Sequence, residues 1–269
     1  MTYHGKWALI TGASAGLGAT FARSFAAKGA NLVLVARREE RLSEIAGALK
    51  AAHGLSVKTI AADLVRPSAP AEIAAALKAD SVDIDILVNN AGFGLPGYYT
   101  DSDWQAHREF LELMVTSYAH LTRVFLPGML ARSYGRVIQV ASVAGLVPGS
   151  AGHTMYGASK AFLVSFAQSL AAECIGTGVH VSALCPGFTY TEFHDVNDTR
   201  ALVSQLPKYT FMEAGPVVEG ALAAVENGHV VYVPGVWNKF VVWLMKALPR
   251  PWAAAMVKQQ SAKFRRKNG

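Results

Sequence analysis

Tyr156 and Lys160 stand one helical turn apart, and Ser142 lies fourteen residues before the tyrosine. A tyrosine ordinarily holds its proton to a pKa of about 10. Four residues apart on a helix, the two side chains project from one face. The Lys160 ammonium can then favour the Tyr156 phenolate and draw proton transfer towards neutral pH. Ser142, in another segment, can donate a hydrogen bond to a substrate oxygen. Such a trio polarises and protonates a carbonyl oxygen, or runs the same steps backwards on an alcohol. Near the start of the chain a second group appears, Thr11-Gly12-Ala13-Ser14-Ala15-Gly16-Leu17-Gly18. Gly12 permits a tight turn, Gly16 lets the backbone approach a pyrophosphate, and Gly18 lets a helix pack near a strand.

These residues need a scaffold that alternates strands and helices. Apolar runs at 7–11, 31–36, 57–61, 84–88, 136–141 and 179–184 predict six strands. The 31–36 run holds Leu32, Val33, Leu34 and Val35 without a break, as in a parallel strand covered on both faces. Helices are expected over 17–28, 39–53, 71–78, 103–130 and 155–175. The alternation predicts an α/β fold, a doubly wound parallel sheet of Rossmann type with right-handed crossovers. It places the glycine turn at the first strand-to-helix junction and Tyr156 and Lys160 on the last long helix of the series. Residues 188–216 break the rhythm and read as a substrate loop. The expected division is a nucleotide-binding domain over 1–235, loop included, and an apolar, basic extension over 236–269.

Composition narrows the functions further. Hydrophobic residues make up 52% and charged residues 16%, which suits a globular chain. The only cysteines, Cys174 and Cys185, form no CxxC or Cys/His cluster, so neither a disulfide framework nor a metal site is expected. The N-terminal residues lack the pattern of a signal peptide, and no apolar run reaches the roughly 18 residues of a spanning helix. A cytoplasmic protein is the default. Net charge is +6, but from Asn227 onward there is no acidic residue and eight basic ones. Without those eight, 17 basic side chains face 19 acidic ones, so the body carries −2 and is not built to bind nucleic acid.

The glycine turn, Asn89-Asn90-Ala91-Gly92, Ser142, Tyr156-Gly157-Ala158-Ser159-Lys160 and Pro186-Gly187 together resemble the short-chain dehydrogenase/reductase family in its classical form. The resemblance runs over about residues 7–233. It implies NAD(H) or NADP(H) as cofactor, no metal, and a small carbonyl or alcohol as substrate. Tyr156 becomes the proton donor or acceptor. Lys160 binds the nicotinamide ribose and lowers the tyrosine pKa, while Ser142 positions the carbonyl. Gly12, Ser14, Gly16, Leu17, Gly18, Asn90, Gly92, Pro186 and Gly187 are implied cofactor contacts, with Thr189 and Thr191 at the nicotinamide carboxamide. Asp63 matches an adenine contact, although it equally reads as a capping residue at a strand end. The family also implies a homo-oligomer.

Arg37 and Arg38 end the second strand, where an acid would hold the ribose hydroxyls of NAD. A guanidinium there suits the 2′-phosphate instead, so NADP(H) is the expected cofactor and NAD(H) the alternative. One position departs from the family, since Met114 stands where an asparagine usually supports a water chain to Lys160. Phe93, Val143, Leu146, Pro148, Met155, Phe188, Phe193 and Phe211 are candidate walls of an apolar pocket. A hydrophobic ketone or aldehyde is therefore the expected substrate, with 3-oxoacyl or steroid and lipid ketones as variants. A dinucleotide-binding regulator without turnover is the reading from another class. In the extension, Trp237, Phe240, Val241, Leu244 and Leu248 recur at helical spacing between basic flanks. That segment either packs over the cleft or another subunit, or rests on a membrane surface.

Overall fold

The computed structural model describes residues 2–95, 97–190 and 210–265, with side chains through residue 259. In chain order the elements begin β1 (Trp7–Thr11), α1 (Gly16–Ala27), β2 (Asn31–Ala36), α2 (Glu39–His53), β3 (Val57–Ala61), α3 (Ala69–Ala79) and β4 (Ile86–Asn89). Next come α4 (Trp104–Leu111), a π turn (Glu112–Thr116), α5 (Ser117–Ala131), β5 (Gly135–Val140), α6 (Thr154–Glu173) and β6 (Val179–Leu184). After β7 (Phe188–Thr189) and β8 (Phe211–Met212) follow α7 (Ala214–Glu226), β9 (Val231–Tyr232), α8 (Val236–Ala247) and α9 (Arg250–Arg265).

Seven strands form one parallel sheet in the order β3-β2-β1-β4-β5-β6-β9. The strand order reverses between β1 and β4, the crevice where such sheets take ligands. Helices cover both faces. In β2, Leu32 and Leu34 join the core with Phe21, Phe25 and Leu222, while Val33 and Val35 join the opposite core with Ile73, Leu77 and Leu163. An unbroken apolar run is thus the period-two pattern of a strand with two buried faces. Each of these fully buried side chains contributes about 1.5–3 kcal/mol of transfer free energy.

Two expectations change. The helix expected over 103–130 is divided, because Ser117 N–H donates to Glu112 O, five residues back, and makes the π turn. Asp103 accepts from Ala106 N–H at 2.8 Å and starts α4. The 188–216 segment is not all loop, since Phe188 pairs with Phe211 and Thr189 with Met212 in a two-stranded ribbon. Thr191 and Phe193 lie outside the described residues. No helix among the described residues is long and apolar enough to cross a membrane.

Candidate active site

The glycine turn is held from across the crevice. Asn90 Nδ2 donates to Thr11 O at 2.8 Å, while Thr11 Oγ1 accepts from the amides of Asn90 (2.8 Å) and Ala91 (3.0 Å). Gly12 has φ +64°, and a Cβ there would lie 2.9 Å from Ala91 Cα. A Cβ on Gly18 would collide with Gly12 O. The α1 N-terminus has no side-chain cap and no acid in its first turn. Its leading amides and positive dipole end therefore suit an anionic group, and the cradle fits a pyrophosphate. Leu17 packs on the core and helps hold the turn.

At the end of β2 the exposed Arg38 leans onto this turn. Its Nη2 and Nε donate to Ser14 Oγ at 3.1 and 3.3 Å. Arg37, beside it, is exposed. Asp63 caps its own turn, with Oδ1 accepting from Val65 N–H at 3.1 Å. Behind the crevice, buried Asn89 donates through Nδ2 to Tyr118 O, Thr122 Oγ1 and Gln139 Oε1 at 3.1–3.2 Å, tying β4 to α5 and β5.

Ser142 follows β5 in extended backbone and caps a short 3-10 turn, its Oγ accepting from Ala144 N–H at 3.2 Å. That turn meets α6 at Gly145, where a Cβ would stand 2.5 Å from Lys160 C. Only a glycine lets the serine segment come so near the helix that carries Tyr156 and Lys160. The Ser142 hydroxyl lies near enough to the Tyr156 phenol to draw its pKa down. Lys160 is buried, donates from Nζ to Val140 O at 2.7 Å, and sits 5.6 Å from the Tyr156 ring centre.

The electrostatics differ from the simple expectation. Burial pushes the Tyr156 phenol above its usual range, and the Ser142 hydroxyl only pulls it part of the way back. Burial also lowers the Lys160 amine to about 7, against the opposing pull of Cys185. Cys185 itself is pushed up to about 12 by burial and is a thiol, not a nucleophile.

The turn after β6 closes the site. Pro186 O accepts from Val143 N–H at 3.0 Å and from Ser142 Oγ at 3.4 Å. Buried Thr189 donates to Gly187 O at 3.3 Å. Gly187 has Asn238 of α8 packed where a Cβ would be, and Asn238 Nδ2 donates to Pro234 O at 2.9 Å. Gly145 and Asn238 were not singled out in the sequence. The first has no sequence signal beyond being a glycine, while the second is the one uncharged polar residue in an apolar stretch. Phe188 is exposed, Phe93 is half-buried and edge-on to the buried Phe110 at 5.6 Å, and half-buried Phe211 stacks with Tyr190 at 4.7 Å. Leu146 instead packs against the core. Met114 is buried in the π turn, with Sδ 2.7 Å from where a Cβ on Gly92 would be, so its side chain brings no polar atom to this position.

A parallel doubly wound sheet with an anion cradle at its switch point, and a serine, tyrosine and lysine gathered beside it, defines a dinucleotide-dependent oxidoreductase architecture. Residues 6–201 match the family model described as short chain dehydrogenase. The chain is 32% identical over 204 residues to the 7beta-hydroxysteroid dehydrogenase of Collinsella aerofaciens, covering 76% of this chain and 73% of that protein. Its structure resembles a short-chain dehydrogenase of Sphingobium yanoikuyae in complex with NADPH (TM-score 0.79, 32% identity, 91% of this chain and 96% of that one). It also resembles a short chain dehydrogenase/reductase of Burkholderia phymatum in complex with NAD (TM-score 0.80, 29% identity, 91% and 94%). This chain belongs to the short-chain dehydrogenase/reductase family, oxidoreductases that act on alcohol or ketone groups.

Proposed function

We propose that the protein is an NADP(H)-dependent reductase of hydrophobic ketones or aldehydes, able to run the reverse oxidation of alcohols. The observation that carries this reading is the gathering of Ser142, Tyr156 and Lys160 at one place, with the amine 5.6 Å from the tyrosine ring centre. When bound, the nicotinamide supplies or accepts a hydride at the carbonyl carbon. The Ser142 and Tyr156 hydroxyls hold and polarise the substrate oxygen, and Tyr156 delivers its proton there. Lys160 holds an exchangeable proton at Nζ near neutral pH, beside the phenol that must be recharged.

Arg38, drawn onto Ser14, would take the 2′-phosphate, with Arg37 beside it. Structural relatives bind NADPH or NAD, so the preference rests on these arginines and on the lack of an acid at the end of β2. Gly12, Gly16, Gly18 and Asn90 would hold the pyrophosphate turn, and Thr189 would meet the nicotinamide end. A bulky apolar ketone is favoured by Phe93, Phe188 and Phe211, in keeping with the steroid-acting relative. A homo-oligomer through α5 and α6 is supported by the exposed Leu130 and Phe162. The test is Tyr156→Phe assayed for NADPH oxidation across a panel of ketones. Turnover should fall about 10²- to 10⁴-fold with cofactor binding retained. Turnover near wild type would sink the mechanism.

A further inference from the structure

We infer that α8 and α9 form an interfacial face that lies on an anionic membrane surface. In α8 the inward stripe is narrow. Asn238 and Val242 are buried, the first against Gly187. The outward side carries a chain of aromatic rings, Trp237 to Phe240 at 5.9 Å and Phe240 to Trp243 at 6.0 Å. Phe240 is 46% exposed and Trp243 63%. In α9, Ala253 is buried, while Trp252 is 67% exposed with Met256 one turn on at 44%. Three large aromatics exposed together along one helix mark an interaction surface rather than ordinary scatter.

Charge selects the occupant. Exposed Lys239, Lys246, Arg250 and Lys258 lie among these rings, and no acidic residue occurs from Asn227 to the end of the chain. A second copy of the chain docked through the same patch would bring like charges together, because a two-fold interface presents one surface to itself. Anionic lipid headgroups supply the opposite charge, and tryptophan rings favour the depth where headgroups meet acyl chains. The helices have 12 and 16 residues, so they are about 18 and 24 Å long. Neither spans a bilayer about 30 Å thick, and they lie in its plane. Since Asn238 packs on Gly187, the bound face would sit about one helix diameter, roughly 10 Å, from the turn that closes the active site.

The proposal does not depend on the redox reading, and one experiment keeps the two apart. Purified full-length protein is co-sedimented with vesicles of mixed phosphatidylserine and phosphatidylcholine, and with vesicles of phosphatidylcholine alone. Wild type should bind the mixed vesicles, weaken as salt rises, and bind neutral vesicles less. Phe240→Ser with Trp243→Ser should lower the partition coefficient by about tenfold or more while thermal stability is kept. Lys239→Gln and Lys246→Gln should each lower it roughly fivefold, about 1 kcal/mol apiece. Tyr156→Phe should sediment like wild type even though it cannot turn over. Wild type left in the supernatant at low salt would overturn the proposal. So would a double aromatic variant that binds as wild type does, since charge alone would then hold the protein. A double variant that only breaks up an oligomer in sedimentation velocity would make the patch a contact between copies, and the membrane proposal would fall.

Discussion

Gly145→Ala should cripple the enzyme without touching any group that bears chemistry. A Cβ at this position would lie 2.5 Å from Lys160 C, 2.6 Å from Lys160 O and 2.8 Å from Ala161 N, where ordinary contact begins at 3.4 Å. All three are backbone atoms, so no side chain can rotate aside. The 3-10 turn and α6 must separate by about 0.9 Å, the gap between 3.4 and 2.5 Å. Overpacking of this kind costs about 1–3 kcal/mol, which is roughly 2–12 °C in Tm at about 2–4 °C per kcal/mol. Ser142 sits three residues before Gly145, and a 1 Å misplacement of a catalytic group costs about 10²-fold. The expected result is a kcat about 10²-fold lower, with KM for the cofactor little changed because the glycine turn and Arg38 lie on other elements. Gly149→Ala is the control, since a Cβ there meets nothing within 4 Å. A Gly145→Ala enzyme with kcat within about twofold of wild type and an unchanged Tm would refute the claim that this close approach positions Ser142.

Arg38→Ala should raise KM for NADPH about 10- to 100-fold, as expected for a lost charged hydrogen bond of about 1.5–3 kcal/mol, and leave KM for NADH nearly unchanged. Arg37→Asp should shift the same ratio in the same direction, and equal changes for both cofactors would remove these arginines from phosphate recognition. Lys160→Met should lose turnover yet be more stable than wild type at pH 6, because it removes an amine whose charge is penalised by burial. The folded pKa of about 7 lies below the unfolded value of about 10.4, so between them the unfolded chain holds a proton that the native chain lacks. Wild-type stability should therefore climb through that window towards the variant, and parallel Tm–pH curves for the two proteins would contradict the burial argument.

The sheet was legible because its signals are local. Leu32, Val33, Leu34 and Val35 announce a strand with two buried faces, and glycines at a strand-to-helix junction announce a nucleotide turn. Tyr156 and Lys160 were legible for the same reason, being one helical turn apart. What stayed hidden depends on contacts between distant segments. The π turn adds one residue to a helical turn around Met114, which apolar periodicity cannot resolve. Gly145 matters only because the α6 backbone passes beside it, and Asn238 only because Gly187 does. The sense of the tyrosine shift was hidden too, because proximity to an ammonium is visible in spacing whereas burial of both groups is not.

The all-parallel sheet also sets the order in which this chain can be made. β1 lies between β2 and β4, and its contacts with β4 reach far along the chain. Trp7 N–H donates to Asp85, 78 positions on, and the Asn90 amide donates to Thr11 across 79. At about 5–20 residues per second, a ribosome needs roughly 4–16 s to cover that distance. Through that interval one edge of β1 has its donors and acceptors open and no hairpin partner to close them, the situation in which strands pair wrongly or are held by chaperones. The nucleotide turn takes its final shape only when Asn90 arrives, so the first functional motif to leave the ribosome must wait for a residue about eighty positions behind it.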